Sequence, residues 1–420
     1  MRTLGWICFF VFVLPLSVHA KEIQTIIDQT PDYGIVKMAS GVYDESLILS
    51  KPLTLEGVGR VTIRSCRLPA VVITGHHVVL RNIMIQQCRR AESAALVVTG
   101  HDHIIEYVQI VAAKRGIQLN QASRTSIAHC LIRGTRQENG IDLWDSSQNI
   151  IKYNTIKQVK DGIYIENSNK NEVNANCIHN SRYGIHVMFS DDLMIKRNLS
   201  EHNLAGAMIM GTKRTVIEHN SFRQNNRHVH SQGLLLYNAM KTSVTKNVIA
   251  ANRVGVYAEN AYNVQLTGNY FLRNAIGMQW NISKKNYIAD NSFVGNVYDA
   301  QAIRCFNNTI IHNYWDTSLK LDQTGRGFSA IPYRADPFFL ALTANVPEYQ
   351  LFFQAPGMLV LQKLLRSPDD EVMIDHAPRM NALKIEQTHR LSTDPLNVNR
   401  MSLVMIVGSI SLLIMGRKRG

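Results

Sequence analysis

The sequence predicts an all-β fold, a right-handed, single-stranded parallel β-helix, on three observations. Glycines recur 22 residues apart and keep that step after a single interval of 27, at Gly140, Gly162, Gly184, Gly206, Gly233, Gly255 and Gly277. Asparagines repeat with the same step and the same insertion, at Asn154, Asn176, Asn198, Asn220, Asn247, Asn269, Asn291 and Asn313. Each unit holds short β-type runs and no long helical pattern, which excludes leucine-rich and helical repeats.

Coils of a β-helix stack at about 4.8 Å, so equivalent residues of successive repeats lie above one another. The recurring Asn is therefore predicted to form a structural ladder of side-chain amides at a bend. On the same spacing, residues 72–299 make about eleven coils of 22 residues. The extra five residues around 225–232 form a loop at a turn.

The ends of the chain predict further segments. Residues 1–20 resemble a signal peptide, because Arg2 precedes an apolar run and Val18-His19-Ala20 offers a cleavage site. The β-helix is expected over 21–315, and it begins with a short amphipathic helix over 23–28. Residues 316–380 are expected to form a capping extension that contains a helix near 347–365.

Residues 381–401 are polar and suit a linker. Residues 402–416 form an apolar run that ends in a basic tail, 417–420. This order predicts a C-terminal membrane anchor with the tail in the cytoplasm. The protein is then expected in the periplasm, attached to the inner membrane.

Cysteine usage and charge limit the class of protein. Five cysteines remain once Cys8 leaves with the signal peptide, and an odd number argues against a complete disulfide framework. Cys66 and Cys88 are 22 residues apart and can stack on adjacent coils, where two buried thiols are favoured over a bridge. The net charge of +13 suits an anionic polysaccharide, an anionic membrane or an acidic protein as partner. Nothing in the sequence resembles a nucleic-acid-binding module.

Alternation within the strands separates the core from the surface. The residues one and three places after each repeat Gly are predicted to face inward: Ile163, Ile165, Ile185, Val187, Ala207, Ile209, Leu234, Leu236, Val256 and Ala258. The residues two and four places after it form two outward columns. The first holds Asp142, Tyr164, His186, Met208, Leu235, Tyr257 and Gln279; the second holds Trp144, Glu166, Met188, Met210, Tyr237, Glu259 and Asn281.

Three interpretations of these columns compete. A C-terminal segment packs over them, or they form a surface for a partner or substrate. That surface would consist of Asp142, Trp144, Tyr164, Glu166, Tyr237, Tyr257 and Glu259, extended by His228 and His230 of the loop. The third interpretation is a transient copper site at His186, Met188, Met208 and Met210, because thioether and imidazole ligands favour Cu(I).

Six segments, in the repeats and in the tail that follows them, carry a family resemblance: Asp161-Gly-Ile-Tyr-Ile-Glu-Asn-Ser168, Arg182-Tyr-Gly-Ile-His-Val-Met-Phe-Ser190, Asn313-Tyr-Trp-Asp316, Ile331-Pro-Tyr-Arg334, Ala355-Pro-Gly-Met-Leu-Val-Leu-Gln362 and Asp375-His-Ala-Pro-Arg-Met380. Together these segments resemble the NosD family of nitrous-oxide-reductase maturation factors. The resemblance implies a periplasmic β-helix protein that assists an ABC transporter, a permease with its ATPase, in delivering copper or sulfur to a metalloenzyme. A copper chaperone and a client cuproenzyme would be further partners. The chain departs from the family at 322–328 and in its residues beyond Met380.

An enzyme is the alternative. Parallel β-helices also include uronate lyases and C5-epimerases, which need a base and cationic groups beside the substrate carboxylate. Asp142, Glu166 and His186 supply titratable groups, and Tyr164 and Tyr237 can stack on sugars. No Arg or Lys stands in either column between 142 and 281, so the sequence favours a non-catalytic accessory protein.

Overall fold

The computed structural model describes residues 21–335, 357, 360 and 372–384. The predicted signal peptide, membrane anchor and basic tail lie outside these residues, as do most of the linker and of the helix predicted near 347–365, and they stay predictions. Within the described residues, no helix is long and apolar enough to span a membrane. The chain divides into two units, 1–383 and 384–420, and the first contains the fold described below.

Residues 21–335 and 372–384 form a parallel β-helix in which each coil contributes one strand to each of three sheets, here called sheets A, B and C. Sheet A has 15 strands: Gly34–Met38, Leu53–Gly57, Val79–Arg81, Ile104–Glu106, Ser126–Ala128, Ile150–Lys152, Glu172–Asn174, Met194–Lys196, Val216–Glu218, Ser243–Thr245, Gln265–Thr267, Tyr287–Ala289, Thr309–Ile311, Met373–Asp375 and Tyr333–Ala335.

Sheet B has 13 described strands: Gly41–Tyr43, Val61–Ser65, Met84–Gln87, Gln109–Val111, Leu131–Arg133, Thr155–Lys157, Cys177–His179, Leu199–Glu201, Ser221–Arg223, Val248–Ala250, Tyr270–Leu272, Ser292–Val294 and Tyr314–Trp315. Sheet C has 12: Leu47–Leu49, Val71–Ile73, Leu96–His101, Ile117–Ser123, Ile141–Trp144, Asp161–Glu166, Tyr183–Met188, Ala205–Met210, Gln232–Tyr237, Val254–Glu259, Ile276–Asn281 and Tyr298–Ile303.

The solenoid therefore has about 13 coils in the described residues, two more than predicted. The prediction counted 72–299, and eleven of the twelve strands of sheet C do lie from Val71–Ile73 to Tyr298–Ile303. The β-helix was expected from residue 21, but the count of eleven left out the coils before residue 72, which carry neither the Gly column nor the Asn column. The 27-residue interval is a loop between the sheet B strand Ser221–Arg223 and the sheet C strand Gln232–Tyr237, as predicted.

The core is continuous along the coils, and the alternation predicted it correctly. All ten residues predicted to face inward after the repeat glycines are fully buried. Towards the C-terminal end, aromatic rings fill the interior in a stack of Phe271, Phe293, Trp315 and Tyr333. Their ring centroids are 4.3, 4.2 and 3.9 Å apart in that order.

The Asn ladder is confirmed at the turn between sheets A and B. Asn198 Nδ2 donates to Asn220 Oδ1 at 3.0 Å, and the backbone N–H of Asn198 donates to the same oxygen at 2.9 Å. The same Nδ2 also donates to the buried carbonyl of Val173, at 2.8 Å. Each amide thus pairs with turn backbone, which is costly to leave unpaired in a core.

A second ladder, which the sequence analysis missed, runs between sheets B and C. Asn225 Nδ2 donates to Asn252 Oδ1 at 3.0 Å, and Asn252 and Asn274 each donate in turn to the next Asn along the stack. Both ladders are buried.

The ends of the solenoid are covered by different means. The N-terminal helix Lys21–Gln29 buries Ile23 and Ile27 on the first coil. This confirms the amphipathic helix predicted over 23–28. At the other end, the described part of the C-terminal extension adds the antiparallel strands Tyr333–Ala335 and Met373–Asp375 to sheet A. Asp375 terminates the Asn ladder, because its Oδ2 accepts the backbone N–H of Asn313 at 2.9 Å and Trp315 Nε1 at 3.0 Å.

The expectation of two buried thiols at Cys66 and Cys88 is wrong. The two residues form a disulfide with a Cα–Cα separation of 4.7 Å. Both directly follow paired sheet B strands on adjacent coils, and Cys66 is exposed while Cys88 is half-buried. Stacking in register places the two α-carbons within the range that a disulfide requires.

Removing one rung of the ladder should destabilise the fold. Asn247 Oδ1 accepts both the backbone N–H and the side-chain Nδ2 of Asn220, and Asn247 Nδ2 donates to the Ile217 carbonyl. Asn247→Ala leaves these buried groups without partners, which costs roughly 2–4 kcal/mol of unfolding free energy. Urea denaturation followed by circular dichroism measures the change. Asn226→Ala is the control, because Asn226 is an exposed loop amide and its loss should cost less than about 0.5 kcal/mol.

Candidate functional site

The two predicted columns stand on the outer face of sheet C in the expected register. His186 pairs with Tyr164 on one side and Met208 on the other, while Met188 pairs with Glu166 and Met210. The columns continue through Leu235, Tyr257 and Gln279, and through Tyr237, Glu259 and Asn281. The strand pairing therefore places chemically different side chains one coil apart along a single face.

The four residues predicted to bind copper lie together on two adjacent strands, Tyr183–Met188 and Ala205–Met210. The three methionines are half-buried, and neighbouring strands are about 4.8 Å apart. The sulfur of Met188 also accepts a hydrogen bond from the Tyr164 hydroxyl at 3.6 Å. The cluster thus offers three thioethers and one imidazole within one patch.

His186 was predicted to face solvent, but it is buried, with 7% of its surface exposed. The rings of Tyr164 and Tyr183 contact it edge-on, each with a centroid distance of 5.0 Å. Its Nδ1 lies 2.9 Å from Oδ2 of the buried Asp161. Its Nε2 is buried and has no hydrogen-bond partner among the residues that the structure describes. One ring nitrogen is therefore fixed, and the other remains available.

Asp161 is held by a second partner, Arg182. The guanidinium donates to both carboxylate oxygens, from Nε at 2.9 Å and from the terminal nitrogen at 2.7 Å. Burial alone would raise the pKa of Asp161, but the hydrogen bonds from His186 and Arg182 outweigh it and lower that pKa. An ionised Asp161 places the proton of neutral His186 on Nδ1, which leaves the Nε2 lone pair free to accept a proton or a metal ion.

Asp142 was also predicted to be exposed and is instead buried at 1%. Asn139 Nδ2 donates to its Oδ1 at 2.6 Å, and Arg115 Nε lies 2.9 Å from its Oδ2. Burial raises the pKa of Asp142 to about 6, although Asn139 and Arg115 act in the opposite direction. Two neighbouring coils thus carry buried carboxylates whose pKa values are shifted in opposite directions.

The remaining residues of the predicted partner surface lie on both sides of the cluster. Tyr164 donates its hydroxyl to Glu166, and four coils further Tyr257 donates to Glu259 at 2.7 Å. Burial and the Glu259 carboxylate raise the pKa of Tyr257 to about 12. Trp144 and Tyr237 are each 37% exposed. These aromatic side chains expose apolar surface on sheet C that a partner protein could contact.

The predicted histidine pair lies in the inserted loop between sheets B and C. His228 and His230 are exposed, and their ring centroids are 5.3 Å apart. The backbone N–H of His230 donates to His228 Nδ1 at 3.2 Å. The loop ends at the strand of sheet C that carries Tyr237, so the pair lies at the edge of the predicted partner surface.

A cavity of about 300 Å³ lies beside the site, at the turn between sheets B and C. Arg182 lines it together with Arg136, Lys160, His202 and Arg227. The absence of Arg and Lys from the two columns predicts a face without cations. The columns do lack cations, but Arg115 and Arg182 reach the face from the preceding turn.

Sequence reasoning therefore missed Asp161, Arg182, Tyr183, Arg115 and Asn139 as site residues. Asp161 and Tyr183 directly precede the repeat glycines Gly162 and Gly184, and Arg182 stands one residue earlier. Their signal was present, because the segments that carry the family resemblance begin at Asp161 and Arg182. Strand alternation could not find them, because it was applied to the residues after each glycine and not to those before it.

Two family models match the chain. Residues 130–327 match the family described as periplasmic copper-binding protein (NosD), and residues 53–200 match the right handed beta helix region. No curated protein matches the chain with significant sequence similarity.

Solved structures with the same fold include enzymes and a tailspike protein. The A-module of an Azotobacter vinelandii mannuronan C-5 epimerase has a TM-score of 0.62 at 14% identity, over 69% of this chain and 93% of its own. The Yersinia enterocolitica family 28 exopolygalacturonase has a TM-score of 0.58 at 10% identity, over 69% and 75%. The Dettilon tailspike protein has a TM-score of 0.52 at 15% identity, over 76% and 68%.

Identities this low establish the fold alone. The NosD match covers the coils that carry His186 and the methionine cluster, and the β-helix match extends the similarity towards the N-terminus. Together with the coil-by-coil architecture, these matches show that the chain belongs to the NosD family of right-handed parallel β-helix proteins.

Proposed function

We propose that the protein is a periplasmic accessory protein that binds Cu(I) transiently at His186, Met188, Met208 and Met210 and passes it on during the maturation of a metalloenzyme. The observation that carries this proposal is the buried, unpartnered Nε2 of His186 beside three thioethers. The name of the matched family, periplasmic copper-binding protein, supports both the compartment and the metal.

The arrangement around His186 suits a metal ligand. Histidines that bind metals usually donate their second ring N–H to a carboxylate, which fixes the tautomer and the ring orientation. Asp161 supplies that carboxylate at 2.9 Å, and Arg182 holds Asp161 in turn. A buried nitrogen without a partner is costly in a protein interior, and a bound cation would satisfy it.

The ligand types suit a soft ion in transit. Thioethers select Cu(I) over hard cations, and imidazole accepts copper readily. Met and neutral His carry no charge. Of the groups that hold the ion, Asp161, which is hydrogen-bonded to the imidazole of His186, is the one that would offset the positive charge. A site on the sheet face whose methionines are half-buried also lets a second protein approach the ion, as transfer between proteins requires.

The copper site can be tested by titrating the full-length protein with Cu(I) in competition with a colorimetric Cu(I) chelator. The double change Met188→Leu and Met210→Leu keeps the apolar volume and removes two thioethers, so we expect at least about a tenfold loss of affinity. Asp161→Asn should weaken binding by roughly tenfold or more through the orientation of His186.

Met194→Leu is the matched control for the copper titration. Met194 stands on the outer face of sheet A and is 39% exposed, so its loss should leave Cu(I) affinity unchanged. If the wild type and the Met188/Met210 variant had equal Cu(I) affinities, the proposed copper site would be wrong. That result would not contradict the accessory role.

The same face supports docking to a transporter. We propose that its exposed aromatic groups, Trp144 and Tyr237, contact the permease of an ABC transporter whose ATPase drives the delivery of copper or sulfur. A copper chaperone and a client cuproenzyme would be partners before and after that step. The predicted anchor at 402–416 would keep the protein at the membrane where the permease lies.

Co-expression with its permease and ATPase tests this partner. The wild type should co-purify with both from detergent-solubilised membranes, and Trp144→Ala with Tyr237→Ala should reduce recovery several-fold, since aromatic anchors dominate interface energies. Tyr287→Ala is the control, because Tyr287 is similarly exposed on sheet A. Undiminished recovery with the double variant would place the interface elsewhere.

A polyuronate-modifying enzyme remains the second candidate, because one observation favours it. The Asp161–His186 pair has the geometry of an oriented general base, Tyr164 lies against it, and Arg182 joins it to a cavity lined by cations. Cations of this kind neutralise the carboxylate of a uronate while its neighbouring proton is removed. The raised pKa of Asp142 adds a group that is partly protonated near neutral pH.

Incubation with alginate and with polygalacturonate decides between the two candidates. An enzyme would release unsaturated products that absorb in the ultraviolet, or change the uronate epimer content measured by proton NMR. His186→Gln should then lower the rate by about 10²-fold or more. If the wild type and His186→Gln both leave the polymers unchanged, the enzymatic hypothesis is wrong.

A further inference from the structure

A second cluster of histidines lies on the early coils, far from the sheet C site in sequence. Gly75-His76-His77 and Gly100-His101-Asp102 occupy the same turn, between sheets C and A, on adjacent coils. His76 and His101 form a parallel β-bridge, and His77 and Asp102 both have left-handed φ angles, of 50° and 60°. The coil stack therefore brings three imidazoles and one carboxylate to a single turn.

The side chains of this cluster are close enough to share an ion. The ring centroids of His76 lie 5.5 Å from His101 and 5.4 Å from His77, and those of His77 and His101 are 6.1 Å apart. Asp102 Oδ2 is 2.7 Å from His101 Nδ1 and 4.0 Å from His77 Nε2. One ligand atom from each of His77, His101 and Asp102 lies within 4.8 Å of the other two.

Of the two distances from Asp102 Oδ2 to the imidazole nitrogens, one is shorter and the other longer than the ligand–ligand distance in a metal centre. A tetrahedral ion with bonds of about 2.1 Å to nitrogen and oxygen separates its ligand atoms by about 3.4 Å. Asp102 would have to move away from His101 by roughly 0.7 Å and towards His77 by roughly 0.6 Å to reach that spacing. His77 and His101 expose 50% and 46% of their side chains, so both can rotate without repacking the core.

Arg124, on the next coil, binds Asp102 from the other side. Its Nε donates to Oδ1 at 2.7 Å, and its terminal nitrogen donates to Oδ2 at 2.9 Å. Carboxylates that bind metals are commonly hydrogen-bonded in this way, which fixes their orientation. If His101 Nδ1 bound the ion, it would no longer hydrogen-bond to Asp102 Oδ2, and this oxygen could then bind the ion as well. The Arg124 charge lowers the affinity for a cation without blocking the oxygen.

We propose that His77, His101 and Asp102 form a surface binding site for a divalent ion of the Zn²⁺ and Cu²⁺ type, with His76 available as a fourth ligand. Two imidazoles and a carboxylate suit these borderline divalent ions, whereas the thioethers of sheet C suit Cu(I). The site does not depend on the copper cluster of sheet C, with which it shares no residue.

Isothermal titration of untagged full-length protein with ZnCl₂ tests this site. We expect the wild type to bind Zn²⁺ and the double variant His77→Ala with His101→Ala to lose at least about tenfold in affinity, because two of the three ligands are removed. Electron paramagnetic resonance of the protein loaded with Cu²⁺ should show nitrogen hyperfine coupling in the wild type that the variant lacks.

The loop pair supplies a matched control. His228 and His230 are also exposed and lie 5.3 Å apart between centroids, but His228→Ala with His230→Ala should leave Zn²⁺ affinity unchanged. Met188→Leu with Met210→Leu should leave it unchanged as well, which separates this result from the Cu(I) test. Circular dichroism confirms that each variant folds. No Zn²⁺ binding by the wild type, or binding that survives in the His77/His101 variant, would overturn the proposal.

Discussion

The close approach of each coil to the next at the glycine column is the constraint on which the rest of the structure depends. A methyl group at Gly184 would lie 2.5 Å from the carbonyl oxygen of Gly206, and one at Gly233 would lie 2.7 Å from that of Gly255. No real side chain fits there, so glycine at this column lets successive coils stack at backbone contact, across the 27-residue interval at Gly206 as well as across the 22-residue steps. Because the coils stack in register, the amide of Asn198 meets that of Asn220 on the next coil and pairs the buried turn backbone.

The same register creates a polar site on an outer sheet face. Tyr164, His186 and Met208 stand in one column only because three successive coils are aligned, and the turns before the glycines then cover part of that column. Asp161, the first residue of its strand, and Arg182, in the turn before the next strand, enclose the imidazole. A buried ion pair does little for stability unless its hydrogen bonds are complete. Here Asp161 is hydrogen-bonded by both Arg182 and His186, and His186 Nε2 has no partner among the described residues, so this nitrogen is available to a ligand.

The sequence was sufficient for everything that follows from spacing and alternation. Those two regularities predicted the parallel β-helix, the buried residues such as Ile163 and Val187, the Asn ladder and the adjacency of Met188 and Met210. They could not predict how far a residue is covered, because alternation assigns a side of the sheet and not a depth. His186 and Asp142 therefore appeared exposed, although aromatic rings and an Arg–Asn pair cover them. The turn at His77 and Asp102 escaped notice because its two coils are 25 residues apart and lie off the 22-residue grid.

The two candidate functions make competing use of one atom, His186 Nε2. Copper coordination needs it unprotonated, with soft ligands beside it, whereas proton abstraction from a uronate needs it unprotonated with cations beside the substrate carboxylate. Both kinds of neighbour are present, but they lie on opposite sides. Met208 and Met210 belong to the sheet C strand that pairs with the one carrying His186, while Arg182 and the cationic cavity belong to the turn at its edge. Three thioethers have no role in proton transfer, and Arg182 is already engaged by Asp161, so the chemistry of the sheet face itself favours the soft ion.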